Sequence, residues 1–477
     1  MSTLRQILCS SMLCYICLVV GIMFTWPSST ILIFSSPNTT LHRTMTEGEI
    51  SLFGSLSSIG GLISTPIAGI CVDKFGRKPS IVMSAIMITI SWSIIACSRQ
   101  VEVILLGIFI SGFGCSAFLV NTAFICEICQ ESIRGTMTST NMVFYSVGML
   151  ISYIMGGILS YAVMIYVNLI LSVIGVLGVL MLKESPLYLM MKEMEKEAAQ
   201  SVRYYRGFAL DSKECQNELD IIRRILSVQA DDSCPEEEKL NSEKIVKKLT
   251  SLQFIKKSRS TRRAIIVTII LMTAAMFQGM PVLQVYAEPL FSKAVPVMSP
   301  NICSIIFAAV NVIMGFVAAY LTDALGRRPL MIYASFIAGI CCLLLGSQIH
   351  TEWGPNWLTA AAIYLFSIAY ILGAGTVPFV LLGEAFLPEV KSFIIMMVVE
   401  WTWLCNFLIL LIFNPLVSAI GLGPVFYLFA VICFLTVVVS YFFQPETKGL
   451  SVDAIQPLFM PSKKRKYAEM AKSSRFI

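Results

Sequence analysis

The sequence predicts an all-α membrane protein in which twelve transmembrane helices form two pseudo-symmetric six-helix halves. The first observation behind this prediction is composition: 56% of the 477 residues are hydrophobic and only 13% are charged, whereas soluble domains carry about 25% charged residues. The second is an internal repeat. The segment Asp73–Pro79 (DKFGRKP) returns 250 residues later as Asp323–Pro329 (DALGRRP), each time between two long apolar runs. A repeat at half the chain length indicates a duplicated membrane fold.

Twelve apolar runs are long enough to cross a membrane, which takes roughly 20 residues of α-helix. The predicted helices, numbered from one to twelve in chain order, cover 8–35, 49–71, 80–97, 101–126, 139–161, 163–182, 264–290, 301–322, 330–349, 357–383, 392–415 and 422–443. The first run follows Arg5 as a signal peptide follows its basic residues. It is longer than a signal peptide and has no clear small-residue cleavage pattern, so we expect it to remain as helix one.

These runs divide the chain into four parts. The N-terminal half covers 1–182 and the C-terminal half covers 264–443. The polar segment 183–263 between them is predicted to be a cytoplasmic linker with short amphipathic helices and a break at 231–235. A regulatory docking surface is the alternative interpretation of this linker. The polar tail 444–477, which contains the basic run Lys463–Lys466, is also predicted to lie on the cytoplasmic side.

Basic residues in short loops mark the cytoplasmic side of a membrane protein. Lys74, Arg77, Arg134 and Arg327 fall on one side, together with the linker and the tail. Both termini are therefore predicted to be cytoplasmic, and the net charge of +6 indicates orientation rather than nucleic-acid binding. Asn38 begins an Asn-Thr-Thr sequon in the first outward loop and is the candidate glycosylation site. We expect a multi-pass protein of the plasma membrane that functions as a monomer within the lipid bilayer.

The sequence shows no pattern typical of an enzyme, a metal site or a cofactor site. The two histidines, His42 and His350, fall in predicted outward loops. The 15 cysteines lie mostly inside apolar runs, without the spacing of a metal site. Because no nucleophile pattern or phosphate-binding loop is present either, we expect no enzymatic activity, no metal and no cofactor.

Charged residues recur at matched positions near the predicted cytoplasmic ends of the helices. Each repeated turn contains an aspartate, a glycine that permits a sharp reversal and an arginine. Each half also contains a glutamate that is followed seven residues later by a basic residue. Ionisable groups at membrane depth are costly and normally paired, so we expect these charges to form a cytoplasmic latch that acts in gating. The eight residues are Asp73, Arg77, Glu127 and Arg134 in the first half and Asp323, Arg327, Glu384 and Lys391 in the second.

Each of the two glutamates has two candidate partners. One is the basic residue seven positions further on, which lies two turns away if the segment is helical. The other is the repeated turn of the same half. The sequence alone leaves both pairings open.

These motifs resemble those of the sugar porters of the major facilitator superfamily. Besides the repeated turns and the glutamate motifs, the resemblance rests on Glu184-Ser185-Pro186, which is similar to the family's Pro-Glu-Ser-Pro, and on Pro445–Leu450 (PETKGL). It covers nearly the whole chain. The segments 45–79 and 383–391 are similar to the facilitated trehalose and hexose transporter branch. The resemblance implies twelve helices, a central sugar site and alternating access.

Several positions that the resemblance would place at the central site differ from the family pattern. Where the family has Gln-Gln-x-Ser-Gly-Ile-Asn in helix seven, the chain has Ala275–Pro281 (AMFQGMP), and the helix-five glutamine position is Met142. The helix-four arginine position is Ile108, and the helix-ten tryptophan position is Phe379. The candidate substrate-binding residues are Gln278, Asn311, Phe379, Trp403 and Asn406. An ordinary role in helix packing is the alternative for the amides and for the tryptophan.

The expected function is facilitative, uncoupled transport of a sugar or a similar small neutral polyol by alternating access. Helix one has no carboxylate between Leu8 and Phe34, whereas the proton-coupled sugar porters carry an aspartate there. No acidic or basic residue is clearly placed in the interior of a predicted helix. Two alternatives remain open: a transporter of the same fold for a non-sugar metabolite, and a non-transporting sensor that retains the fold. Because several amides of the family site are absent, we expect weak binding of glucose.

Overall fold

Twelve helices in the computed structural model are long and apolar enough to cross a membrane. The structure describes residues 2–207, 213–231, 255–256, 258–450 and 452–459. Over these ranges the regular secondary structure is helical, with no β-strand. The prediction of an all-α protein with twelve spans is therefore confirmed.

The first six spanning helices form the N-terminal half. Helix one is Ser2–Phe34, helix two Glu47–Phe75, helix three Arg77–Cys97, helix five Glu131–Ile158 and helix six Tyr161–Leu180; helix four consists of Val101–Ser111 and Ala117–Ile128, joined by the 3-10 turn Gly112–Ser116. A capping box starts helix two, because the side chains of Thr46 and Glu49 each accept the other residue's backbone N–H. Helix five begins at Glu131, eight residues before its predicted start at residue 139. The polar residues that precede the apolar run are therefore also helical.

The second six spanning helices form the C-terminal half, and two of them are interrupted. Helix seven consists of Arg259–Phe277, Met280–Val285 and Ala287–Ala294; helix eight is Pro300–Leu325, helix nine Arg327–Thr351, helix eleven Pro388–Ile420 and helix twelve Leu422–Phe443; helix ten consists of Asn356–Leu372 and Val377–Glu384. Helix seven breaks at Gly279, whose φ of 103° lies in the left-handed region that favours glycine. Pro281 then stands near the start of the next segment, a position that tolerates proline.

Short helices of the linker pack beside the N-terminal half. They are Pro186–Met191, Glu195–Arg206 and Lys213–Asp231. Leu189, Val202 and Ile222 belong to the small apolar core that joins them. Most of the predicted break at 231–235, and the basic run Lys463–Lys466 of the tail, lie outside the described residues.

The two ends of the bundle differ in what they carry. Both repeated turns, the linker helices and the beginning of helix one lie at one end, which we call the linker face. The other end, which we call the opposite face, carries the loop between helices one and two. The halves meet where helix two packs against helix eleven, where helix five packs against helix eight, and where helix one contacts the two short segments of helix seven.

Candidate functional site

A buried charge network lies on the linker face of the N-terminal half. The Arg77 guanidinium donates from Nε and Nη2 to the Glu127 carboxylate at 3.0 and 2.8 Å, and the two side chains are only 11% and 10% exposed. The Ser185 hydroxyl also donates to Glu127. The Glu184 carboxylate accepts the backbone N–H groups of Arg77 and Lys78 at 3.0 and 3.2 Å. It thereby satisfies free N–H groups in the first turn of helix three.

The C-terminal half builds the same network from matched residues. Arg327 Nη2 donates to Glu384 Oε1 at 2.7 Å, and Thr447 Oγ1 donates to Glu384 Oε2 at 2.7 Å. The Glu446 carboxylate accepts the backbone N–H groups of Arg327 and Arg328, both at 3.0 Å. Burial tends to raise the pKa of Glu446, but the surrounding backbone N–H groups lower this pKa below its ordinary value.

The two networks correspond position by position. Arg77 matches Arg327, Glu127 matches Glu384, Glu184 matches Glu446, and Ser185 matches Thr447. The glycine of each repeated turn has a positive φ, 107° at Gly76 and 94° at Gly326. A Cβ at these two positions would lie 2.5 and 2.8 Å from a capping carboxylate oxygen, so glycine is required for both conformation and space. Of the two pairings that the sequence left open, the structure has each glutamate bound to the repeated turn.

Three of the eight predicted latch residues stay outside these ion pairs. Asp323 binds Arg327 at 2.9 Å from a mostly exposed position, but Asp73, Arg134 and Lys391 form no ion pair with any residue that the structure describes. The Nε of Arg134 is buried and has no hydrogen-bond partner there. Each ion pair that the other five residues form joins two residues of the same half.

Hydrogen bonds cross between the halves on the opposite face. The Tyr153 hydroxyl of helix five donates to the Gln284 carbonyl of helix seven at 2.6 Å. Asn301 Nδ2 of helix eight donates to the Tyr153 carbonyl at 2.9 Å and to Glu288 Oε1 at 3.0 Å. The backbone N–H of Glu288 donates to Ser28 Oγ of helix one at 3.0 Å. This cluster, which holds the opposite face closed, was not identified from the sequence; its one sequence signal is the group of polar residues at the outer end of helix seven.

Two predicted substrate-binding residues lie where helix eleven meets helix two of the other half. Asn406 Nδ2 donates to Ser58 Oγ at 3.1 Å, and Asn406 Oδ1 is buried without a partner among the described residues. Trp403 packs directly on Gly61, since a Cβ at that glycine would lie 3.0 Å from the indole ring. Both residues therefore belong to the interface between the halves.

Two other predicted substrate-binding residues bond inside the C-terminal half. Gln278 Nε2 donates to Thr436 Oγ1 of helix twelve at 3.1 Å. Asn311 Nδ2 donates to the Phe307 carbonyl at 2.7 Å, and Asn311 Oδ1 accepts from Ser367 Oγ at 3.0 Å. These contacts correspond to the packing alternative for both amides.

The exposure of side chains on helix five differs between its two ends. Met142, Met149 and Tyr153 share one face of helix five, because they are separated by seven and four residues. Met149 and Tyr153 are fully buried near the opposite face, but Met142 is 54% exposed. Phe379 of helix ten is also exposed. The same face of helix five is thus buried near the opposite face and exposed nearer the linker face.

Glu400 corrects the expectation that the helix interiors hold no charged residue. It lies deep within helix eleven, one turn before Trp403. Its Oε1 is buried without a hydrogen-bond partner in the described part of the chain. Its charge is hard to notice in the sequence because apolar residues surround it on both sides, Val398, Val399, Trp401 and Trp403 among them.

Comparisons with known proteins agree with this architecture. A family model described as sugar (and other) transporter matches residues 3–459. The facilitated trehalose transporter Tret1 of Polypedilum vanderplanki is 26% identical over 452 residues, which cover 93% of this chain and 86% of that protein. Tret1 of Drosophila yakuba is 25% identical over 451 residues, which cover 93% of this chain and 50% of that protein. The chain therefore spans about half the length of the Drosophila yakuba relative.

Solved structures share the fold. The inward open conformation of the xylose transporter XylE from E. coli gives a TM-score of 0.75 at 18% identity and covers 94% of this chain and 99% of that one. The proton:xylose symporter XylE bound to 6-bromo-6-deoxy-D-glucose gives a TM-score of 0.71 at 19% identity and covers 96% of this chain and all of the other. The twelve helices thus have the major facilitator fold. With a family match over nearly its whole length, the chain belongs to the sugar transporter family.

Proposed function

We propose that this protein moves a sugar or a similar small neutral polyol across a membrane, down the substrate's gradient, by alternating access. The observation that carries the proposal is the contrast between the faces. Hydrogen bonds join the halves on the opposite face, while Met142 and Phe379 are exposed nearer the linker face. This arrangement corresponds to one end state of two halves that rock around a central site. The names of the trehalose transporter relatives support the sugar class.

The proposed substrate contacts are Trp403, Asn406 and Phe379. An indole ring provides a large apolar surface for one side of a small substrate, and the buried Asn406 Oδ1 can accept a hydrogen bond from a hydroxyl. Gln278 and Asn311 support the site indirectly, because they join helix seven to helix twelve and helix eight to helix ten. Met142 stands where the resemblance predicts a glutamine, so we propose weak glucose binding.

Uptake into vesicles that contain the purified full chain tests this function. We expect labelled trehalose, glucose or a small polyol to equilibrate across the membrane without accumulating. A protonophore should leave the rate unchanged. Asn406→Ala should slow uptake about five- to 150-fold if its amide bonds the substrate, which corresponds to about 1–3 kcal/mol. Accumulation that a protonophore abolishes, or uptake that survives Trp403→Ala with Asn406→Ala, would contradict the proposal.

A non-sugar metabolite is the second candidate, and Glu400 is the observation that favours it. A half-buried carboxylate with one buried oxygen that has no partner among the described residues suits a substrate with a positive charge or several hydrogen-bond donors. Counterflow with amines and with neutral polyols separates the two candidates. Selective loss of amine transport in Glu400→Gln would favour the non-sugar metabolite. A sensor would instead bind its ligand without any uptake.

We also propose that the linker face is cytoplasmic, that the protein resides in the plasma membrane, and that it acts as a monomer and not as an enzyme. The basic residues of the linker face support this orientation. Asn38 is exposed on the opposite face, as a glycosylated residue must be. An endoglycosidase-sensitive mass shift that is lost in Asn38→Gln would support the orientation. The three latch residues without ion pairs are proposed to act when the linker face closes.

A further inference from the structure

A small basic cavity opens on the linker face at the edge of the N-terminal half. Its volume is about 340 Å³, and its lining consists of Arg5, Lys183, Gln200, Arg203 and Tyr204. Arg5 lies in the first turns of helix one, and Lys183 follows the end of helix six. The other three residues belong to the linker helix Glu195–Arg206. Three separate parts of the chain thus bring three cationic side chains to one cavity.

Backbone carbonyls, rather than carboxylates, hold these three parts together. The Tyr204 hydroxyl donates to the Met181 carbonyl at 3.2 Å, and the Tyr205 hydroxyl donates to the Lys183 carbonyl at 2.6 Å. Arg5 Nη1 donates to the Tyr204 carbonyl at 3.3 Å. The cavity is therefore built without neutralising its charges.

The positive charge of the cavity has no counter-ion among the described residues. Arg5, Lys183 and Arg203 form no ion pair there. The nearest acid in sequence, Glu184, is occupied by the backbone N–H groups of helix three. Arg206, one turn beyond Arg203, is already paired with Glu218. Like charges held close together repel each other, so the site is suited to an anion.

The surroundings of the cavity place it at the membrane boundary. Leu4 and Leu8, on either side of Arg5 along helix one, are exposed apolar residues. Leu177 and Met181 form a similar exposed apolar surface at the end of helix six. Side chains of this kind face lipid tails in a membrane protein, and a basic pocket beside them lies at the level of lipid phosphates.

We propose that this cavity binds the phosphorylated headgroup of an anionic membrane lipid of the phosphoinositide class. Arg5 and Arg203 can donate in a forked geometry to phosphate oxygens, Lys183 supplies a third charge, and Gln200 adds an uncharged donor. Because Ser201 and Tyr205 of the same linker helix bond the Glu184 and Lys183 carbonyls, the headgroup would fasten this helix to the charge network of the N-terminal half. The proposal holds for any transported substrate.

Binding of phosphatidylinositol 4,5-bisphosphate to the full-length protein in nanodiscs tests this site. We expect Arg5→Gln with Lys183→Gln and Arg203→Gln to weaken binding roughly tenfold or more. The matched control is Lys192→Gln with Lys196→Gln and Lys213→Gln, which removes the same charge from the linker region outside the cavity. It should change binding less than about twofold. Equal losses in the two triple variants would overturn the proposal, because they would show attraction to surface charge alone.

Two further measurements keep the test decisive. Arg203→Gln alone removes a side chain with no hydrogen bond among the described residues, so it should fold normally and still weaken binding. Unchanged binding in this variant would contradict the proposal. Soluble inositol 1,4,5-trisphosphate should bind more weakly than the lipid. Equal affinity for the soluble headgroup would assign the cavity to a free phosphate compound and overturn the lipid source.

Discussion

On the linker face, charged side chains pair within each half, whereas on the opposite face hydrogen bonds without ion pairs run between the halves. The Arg77–Glu127 and Arg327–Glu384 pairs cross no interface between the halves. The bonds of Tyr153 with Gln284 and Asn301, and the bond of the Glu288 backbone N–H to Ser28, do cross it. This difference indicates that each half stays rigid, while the interface between the halves can open at the opposite face. Buried ions are costly to separate, but uncharged groups exchange partners with water at little net cost.

The largest expected effect comes from breaking a charge network inside one half. Glu127→Ala leaves the Arg77 guanidinium buried without its partner, which should destabilise the protein by about 3–5 kcal/mol. A thermal unfolding series in detergent measures this loss. The matched control is Arg223→Ala, because Arg223 pairs with Glu195 at an exposed position and should cost about 0–1 kcal/mol. Equal destabilisation by the two variants would show that the Arg77–Glu127 pair is not a rigid element.

A smaller effect is expected from a contact that crosses between the halves. Asn301→Ala removes the hydrogen bond to the Tyr153 carbonyl of the other half, and also a bond to Glu288 within its own half. It should favour opening of the opposite face by about 1–3 kcal/mol, or roughly five- to 150-fold in population. Spin-label distances between the halves measure this population. Asn311→Ala is the control, since its amide bonds only within the C-terminal half. It should lower the thermal stability but leave the distances unchanged. A distance shift in Asn311→Ala as large as that in Asn301→Ala would show that contacts between the halves have no special role in keeping the opposite face closed.

The capping carboxylate of the C-terminal half should make stability depend on pH. The pKa of Glu446 is lowered from 4.5 by backbone N–H groups, so its contribution is complete above the unfolded-state pKa. That contribution is lost as the pH falls through the lower, folded-state value. Glu446→Gln should cost up to about 1 kcal/mol at pH 7. Melting curves of both proteins between pH 7 and pH 4 should converge as the pH falls, and a constant difference would contradict this role.

The smallest effect on stability is expected at Arg134, which has no ion pair in this state. Arg134→Ala should change the unfolding free energy by about 1 kcal/mol or less. If Arg134 pairs when the linker face closes, its removal should also increase the labelling of Met142→Cys by a water-soluble reagent. Unchanged labelling would exclude a gating role for Arg134. A double variant with Lys391→Ala then shows whether the two residues act together.

Much of the fold was predictable because hydropathy and the repeat are properties of the chain itself. All twelve spans were predicted, with differences at their ends where polar turns continue a helix. Helix seven was predicted as one run, 264–290, but is interrupted at Gly279. A single glycine lowers the mean hydropathy of an apolar run only slightly, so the interruption leaves little trace in an apolar pattern.

The candidate site was less predictable, because sequence position does not say which neighbour a side chain meets. Gln278 and Asn311 were predicted to bind substrate, with helix packing as the alternative, and both bond to helices of their own half. Glu288 and Asn301 are contacts between halves that only the packing of helices one, five, seven and eight reveals. The pairing of Glu127 with Arg77 likewise depends on how close the turn between helices two and three lies to the end of helix four.

The two capped glycine turns have a consequence for mutational tolerance. Any side chain at Gly76 or Gly326 displaces a carboxylate and strains the backbone, whereas Gly135, Gly315 and Gly383 have open space where a Cβ would lie. A scan of every substitution along the chain should therefore show low tolerance at both Gly76 and Gly326, at matched positions of the two repeats. Fitness data alone would then show this feature of the duplication.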